Sequence, residues 1–393
     1  MSTAPLASAR VLTPRRAAPA DSVRPTRAEI SLGHLRHNLG ELARVAQVPI
    51  WSVLKADAYG HGAKAVARTL ERAGSAGICV ALIEEGIELR EAGIQIPILI
   101  MGSHYTGAWP ELLRHSLTPV LSRQDQIESL AEEVRERGGP AFGVHIKIDT
   151  GMARLGVPMS ELGPFASALA ACRELRLDGV MTHFASAESD PEFVARQLAL
   201  FEQGTQLLGK AGLSVRQRHA ANTAALLGHP AARLDLVRPG IGLFGLAPGI
   251  RGAAQLRPVM RVRSEVISLR TLSAGASVGY GATFRATSEA RIATIPMGYG
   301  DGLSRALSNR GQVLVRGRRA PIVGAVSMDL TSIDVSNVPG VEIGDEVVVL
   351  GTQSGPLGEG TLSAEEIAAQ TGTIAWEVLT AVSRRVPRFY PEQ

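Results

Sequence analysis

Ile96-Pro97-Ile98-Leu99-Ile100-Met101 runs for six residues without a polar side chain. A strand with one wet face alternates apolar and polar residues; a strand covered on both faces does not. Strands of the second kind belong to parallel sheets flanked by helices. Working outward, similar short runs recur at Ile50–Lys55, Gly77–Leu82, Thr118–Leu121, Gly143–Asp149, Gly179–Phe184, Val215–Ala220 and Leu234–Pro239. Amphipathic stretches lie between them, among them Ala63–Ala73, Ile83–Ala92, Gln124–Arg137 and Phe193–Ala211. Eight β/α repeats in one segment predict a closed eight-stranded (β/α)8 barrel of the TIM type. A doubly wound open sheet is the alternative, but no G-x-G-x-x-G follows the first strand.

The texture changes after about residue 255. Val262–Leu269, Arg291–Pro296, Gln312–Arg316, Ser332–Val335 and Glu346–Leu350 are short strand candidates with Gly, Pro or Asn turns between them. They predict a separate all-β domain, interrupted by helical segments at Ala364–Ala369 and Ile374–Val382. The expected organisation is therefore α/β with an all-β addition. Residues 1–25, rich in Ala, Pro, Ser and Arg, form a disordered tail; 26–255 form the barrel; 256–393 form the β domain.

Composition narrows the partners. With 41 Lys and Arg against 37 Asp and Glu, the net charge of +4 is small for 393 residues. No long basic run with interleaved aromatics is present, so no nucleic-acid partner is expected. No stretch approaches the ~20 apolar residues of a membrane span, so no membrane partner is expected and a cytoplasmic location is. The two cysteines, Cys79 and Cys172, read as reduced buried thiols. Only five of the residues are Tyr, so each can be weighed singly.

Active sites of such barrels lie at the C-terminal ends of the strands. Polar residues gather there: Lys55 on the first run, Lys147 and Asp149 on the fifth, His183 on the sixth, His219 to Thr223 on the seventh and Arg238 on the eighth. Lys55 closes an apolar strand and precedes a Gly-rich turn. It is either a lysine snorkelling at a strand end or a desolvated amine able to bond a carbonyl group covalently. Tyr59, four residues on, could reach a phosphate while Lys55 holds an aldehyde. That pairing suits pyridoxal phosphate.

Lys55-Ala56-Asp57-Ala58-Tyr59-Gly60-His61-Gly62 resembles the cofactor-lysine motif of the alanine racemase family, fold-type III pyridoxal-phosphate enzymes. Further segments resemble the same family, in order: Lys147–Gly156, Thr182–Ala185, His219–Ala225, Val237–Ile241, Gly279–Phe284, Gly298–Gly302 and Met328-Asp329. The resemblance covers nearly everything from about residue 25 to 390. It implies pyridoxal 5'-phosphate as cofactor, alanine as substrate, a homodimer, no metal, and D-alanine supply for peptidoglycan.

Site roles follow from the resemblance. Lys55 would hold the cofactor and, once freed, act as a base on one face of the substrate. Tyr280 would be the base on the other face, contributed with Met328 across the dimer interface. Racemisation removes a proton from one face and returns it on the other, so two groups suit it. A free phenol titrates near 10, so a tyrosine base needs assistance. Arg238 would face the pyridine nitrogen. A guanidinium donates a hydrogen bond there without readily giving up its proton, which makes the ring a weaker electron sink and favours racemisation over transamination. Tyr59, Thr223 and the amides of Gly240 and Ile241 would bind the phosphate. His183 would lie against the ring with Asn222 nearby. Arg154 would bind the substrate carboxylate or support Tyr280, Met328 would offer its N–H, and Tyr299 would narrow the pocket. Lys147 matches a lysine that is carbamylated in many members; unmodified, it would pair with Asp149.

The sequence departs from the family at Trp376, which stands where a tyrosine commonly helps hold the phosphate. The indole N–H donates but has a different reach. This keeps open a broader alanine/serine racemase. From another class, a non-catalytic pyridoxal-phosphate carrier is opposed by Tyr280, and a lyase or decarboxylase by Arg238.

Overall fold

The computed structural model describes residues 22–391 except 103–106, 248, 251 and 253. Tyr105 and most of the expected tail therefore lie outside the described residues. The chain divides into two compact units. One comprises Ile30–Met260 with Tyr390–Gln393; the other comprises Arg261–Phe389 with the residues leading to Glu29.

The first unit is the barrel. After β1 (Arg27–Ile30), its strands are β2 (Trp51–Val53), β3 (Gly77–Val80), β4 (Ile98–Ile100), β5 (Thr118–Leu121), β6 (Phe142–Asp149), β8 (Leu175–Met181) and β9 (Gln217–His219), paired in parallel in that order. The short β7 (Val157–Pro158) pairs beside β6. An eighth segment closes the ring. Ile50 and Val237 form a parallel bridge. Trp51 N–H donates to Val237 O (2.9 Å), and Val53 N–H to Pro239 O (3.0 Å). On its other side Asp235 N–H donates to Arg218 O (3.1 Å). The sequence places the eight strands in their order but misjudges ends: β8 starts at Leu175 rather than Gly179, and the expected strand Leu234–Pro239 is reduced to this bridge.

The helices between strands bury one stripe each. Leu32–Ala46 is capped by Ser31, whose hydroxyl accepts His34 N–H (3.1 Å), and buries Leu35, Leu39, Leu42 and Ala46 at helical spacing. Pro191–Lys210 is capped by Asp190 and buries Val194, Gln197, Phe201, Gly204 and Leu208. Two glycines make room inside the ring. A Cβ on Gly77 would lie 2.6 Å from the Trp51 ring, and one on Gly179 2.5 Å from the His145 ring.

The second unit is all-β apart from short helices. Its main sheet holds β16 (Arg318–Pro321), β15 (Gln312–Val315), β18 (Glu346–Gly355), β10 (Met260–Glu265), β1 and β20 (Arg388–Phe389) in that order, with β19 (Gly358–Leu362) on β18. β11 (Ser268–Leu272), β14 (Ala290–Ile295) and β17 (Thr331–Asp334) form a second sheet; β12 (Ser277–Val278) and β13 (Phe284–Arg285) form a hairpin. The expected strand Val262–Leu269 is two strands, because the chain leaves the main sheet at Val266. Helices occupy Ala364–Thr371 and Ala375–Ala381.

Two expectations about the N-terminal residues need correction. The barrel was expected to start at 26, yet β1 pairs in parallel with β20 in the β unit, and Thr26 Oγ1 lies 2.8 Å from Ser264 Oγ. The tail was expected to run to 25, yet Arg24 is fixed: its Nη2 donates to buried Asp301 Oδ1 at 2.8 Å. Of the thiols, Cys79 is buried and Cys172 partly exposed, and both are free. Among the described residues no helix is long and apolar enough to cross a membrane.

Candidate active site

The chain after β2 does something the sequence does not announce. Ala56, Asp57, Ala58 and Tyr59 all have φ between 52° and 56°, one turn of left-handed helix without a glycine. L-residues resist this conformation by about 1–2 kcal/mol each, so surrounding contacts must hold it. Asp57 Oδ1 accepts Ala63 N–H (2.8 Å), Gly60 N–H donates to Ala56 O (3.0 Å), and Leu54 N–H donates to Cys79 O on β3 (2.9 Å). Glu85, the third residue of helix Ile83–Glu91, accepts Ala56 N–H at 2.5 Å. The Tyr59 ring packs on Phe244 at 5.1 Å, and Tyr390 Oη donates to His61 O at 3.1 Å.

This turn opens on Lys55, which stands accessible at the strand end. Desolvation by the surrounding protein lowers its pKa, Arg154 lowers it further, and Glu85 opposes both. Lys147 is buried on β6. Burial, then Arg154 and Arg238, lower it to about 8. It has no ion pair with Asp149, whose Oδ1 instead accepts three amides, Gly151, Met152 and Ala153 (3.0–3.1 Å). Arg154 is exposed near both lysines. His183 is lowered to about 3, first by burial and then by Arg238, Lys147, Arg154 and Lys55, so it is uncharged. Its carbonyl is held by Gln197 Nε2 at 3.2 Å.

Arg238 is buried on the closing segment. Its Nη2 donates to Thr182 O (2.8 Å) and Ala220 O (3.1 Å), and its Nη1 lies 2.7 Å from His219 Nδ1. His219 Nε2 in turn lies 2.9 Å from His145 Nδ1. Burial takes His219 well below its usual range and His145 to about 4, so the row carries its charge on the guanidinium. Asp235, three residues before Arg238, is engaged by Arg218 (3.0 Å). Among the described residues no carboxylate stands within ion-pair distance of Arg238. A buried guanidinium with hydrogen bonds but no counter-charge is costly, and an electron-rich ring nitrogen is a fitting neighbour for it.

Thr223, Gly240 and Tyr59 make a cradle. Gly240 N–H and Gly242 N–H both donate to Thr223 Oγ1 at 3.1 Å. A Cβ on Gly240 would lie 2.3 Å from Tyr59 Oη, so the phenol reaches the backbone there. Burial pushes the Tyr59 phenol up, keeping its proton for donation. Ile241 follows on the short 3-10 turn Ile241–Phe244. The Tyr59 and Thr223 hydroxyls, beside a backbone that leaves no room for a Cβ at position 240, fit a phosphate, and a lysine at the same mouth fits an aldehyde. The barrel residues thus fit pyridoxal phosphate. Asn222 has a structural part at the start of the next helix. Its Oδ1 accepts Ala225 N–H (2.9 Å) and caps helix Thr223–Gly228.

In the β unit, Tyr280 sits on the turn between β12 and β13 and is 78% exposed; Met328 is 52% and Tyr299 43% exposed. Gly300 N–H donates to Met328 O (2.9 Å), so the loops of Tyr299 and Met328 are joined. Tyr299 also lines an apolar hollow of about 300 Å³ with Leu303, Leu307, Ile367 and Val378. Trp376 lies half-buried on helix Ala375–Ala381.

Glu85, His145 and Gln197 take part in these contacts although no strand end marks them. The alternation along β6 puts His145 on the same face as Lys147, so it was legible; Glu85 and Gln197 act through contacts made far along the chain.

The profile of the alanine racemase N-terminal domain matches residues 30–248 and that of the alanine racemase C-terminal domain residues 259–390. The chain belongs to the alanine racemase family. It is 58% identical over 378 residues to the alanine racemase of Sorangium cellulosum (strain So ce56), covering 94% of this chain and all of that one. Among solved structures, the alanine racemase of Clostridium difficile 630 matches with TM-score 0.88 at 34% identity, over 94% of this chain and 96% of that one. The alanine racemase of Bartonella henselae with covalently bound pyridoxal phosphate matches with TM-score 0.84 at 29% identity, over 93% and 99%.

Proposed function

We propose that this chain interconverts L-alanine and D-alanine with pyridoxal phosphate, using Lys55 and Tyr280 as bases on opposite faces of the substrate. The observation that carries the reading is the convergence at one barrel mouth of a lysine of lowered pKa, a buried arginine without a carboxylate partner, and the Thr223–Gly240–Tyr59 cradle. Bound there, pyridoxal phosphate supplies an electron-withdrawing ring that acidifies the substrate Cα–H. Tyr59, Thr223 and the backbone at Gly240 and Ile241 would hold its phosphate, and the Lys55 amine would hold its aldehyde end. Arg238 would face the ring nitrogen and His183 would lie against the ring. The His219–His145 row keeps the guanidinium fixed.

Lys55 Nζ, its amine poised by desolvation, moves the Cα proton on one face. Tyr280 Oη moves it on the other. Tyr280 and Met328 are read as reaching the site from a second copy of the chain in a homodimer, which accounts for large apolar side chains left 78% and 52% exposed on one chain. Arg154 binds the substrate carboxylate, with the Met328 N–H, and Tyr299 narrows the pocket. Lys147 is read as carbamylated: an amine lowered to about 8 beside two guanidinium groups gains by becoming an anion. The product role is cytoplasmic D-alanine supply for peptidoglycan. Trp376, half-buried and donor-only, supports a second reading that includes serine.

The test is an amino-acid panel assayed for enantiomer exchange with pyridoxal phosphate present, alongside borohydride reduction and peptide mapping. Alanine turnover with the pyridoxyl group on Lys55 is expected. No turnover of any amino acid, or attachment to another lysine, overturns the reading.

A further inference from the structure

Glu85 accepts more hydrogen bonds than its own helix requires. Its Oε2 takes Ala81 N–H (2.8 Å) and Leu82 N–H (3.0 Å), as a residue at the third helical position does when it reaches back to the helix start. Its Oε1 takes Ala56 N–H (2.5 Å), which belongs to the neighbouring βα turn. Ala56 directly follows Lys55 and is the first residue of the left-handed turn that ends at Tyr59. One carboxylate thus ties the strained turn to the start of the next helix. We infer that Glu85 is a positioning residue that sets, from the adjacent βα unit, the directions in which Lys55 and Tyr59 leave the barrel. The inference rests on the reading that Lys55 holds the cofactor and Tyr59 its phosphate.

The same carboxylate opposes Arg154 at the Lys55 amine. Glu85 therefore has a geometric and an electrostatic part, and two substitutions separate them. Glu85→Asp keeps the charge and can still cap helix Ile83–Glu91, but is one methylene short of Ala56. Glu85→Gln keeps the length but loses the charge and has one acceptor oxygen for three amides.

The experiment uses the full-length enzyme. Pyridoxal phosphate is titrated into cofactor-free protein, amide exchange is followed at residues 55–62 and 81–86, and the bound cofactor's absorbance is titrated with pH. Both variants should weaken pyridoxal phosphate binding, roughly 10- to 100-fold for one lost charge-assisted hydrogen bond, and speed exchange at 55–62. The pH midpoint should fall in Glu85→Gln and stay near its original value in Glu85→Asp. Unchanged affinity and exchange at 55–62 in Glu85→Asp, with any change confined to 81–86, would reduce Glu85 to a helix cap and overturn the inference. Mapping of the reduced cofactor in the unsubstituted enzyme to a lysine other than Lys55 would fail the parent reading; the exchange at 55–62 still decides whether Glu85 holds the turn.

Discussion

Thr223→Val replaces a hydroxyl with a methyl group at nearly constant volume. In the wild-type chain that hydroxyl oxygen is the acceptor for two amides, Gly240 N–H and Gly242 N–H, both at 3.1 Å and both buried. Valine leaves both without it. A buried donor left unsatisfied costs about 1–3 kcal/mol, so the cofactor-free protein should lose about 2–6 kcal/mol. For a unit of a couple of hundred residues that is a fall of at least about 4 °C in Tm. The second effect is on binding. The same bonds pin the Gly240 loop to the start of helix Thr223–Gly228, so pyridoxal phosphate affinity should fall roughly 10- to 100-fold. Differential scanning calorimetry of cofactor-free protein and an equilibrium titration measure the two. Inorganic phosphate, a probe of the cradle alone, should raise Tm in wild type and do so less in the variant. An unchanged Tm with affinity within twofold of wild type would refute the reasoning.

Three further outcomes are expected. Lys147 reacts with carbon dioxide only as the free amine, whose fraction rises as pH passes about 8; bicarbonate should raise activity increasingly up to that pH, and intact mass should gain one carbon dioxide. Arg238→Glu should turn the ring into a stronger electron sink and raise transamination at the expense of racemisation by roughly tenfold or more, read by pyruvate release; no pyruvate would count against the assignment. Trp376→Tyr should change the ratio of alanine to serine turnover several-fold, and an unchanged ratio would remove Trp376 as a determinant of specificity.

The parts legible in the sequence are those fixed by periodicity and strand ends. Ile96–Met101 marks a doubly covered strand, and β4 is buried throughout. Lys55, Lys147, His183 and Arg238 stand at or beside the ends of barrel segments, where the strand pattern points to them. β8 was read short because Arg176 and Asp178 interrupt its apolar run, and the two satisfy each other by an ion pair at 2.7 Å. The turn at Ala56–Tyr59 was not legible at all: Ala-Asp-Ala-Tyr is no left-handed sequence, and Glu85, 29 residues on, helps hold it. By contrast, the capping role of Asn222 was legible, since an Asn before Thr-Ala-Ala-Leu is an N-cap signal. Arg24 was assigned to a tail because its partner, Asp301, is 277 residues away.

The central claim is that two bases stand on opposite faces of alanine. Tyr280→Phe, incubated separately with α-deuterated L- and D-alanine, tests it most directly. The account predicts that racemisation is lost while one enantiomer alone still exchanges its α-deuterium with solvent, through Lys55. Exchange from both enantiomers at equal rates, or racemisation at the wild-type rate, would contradict it.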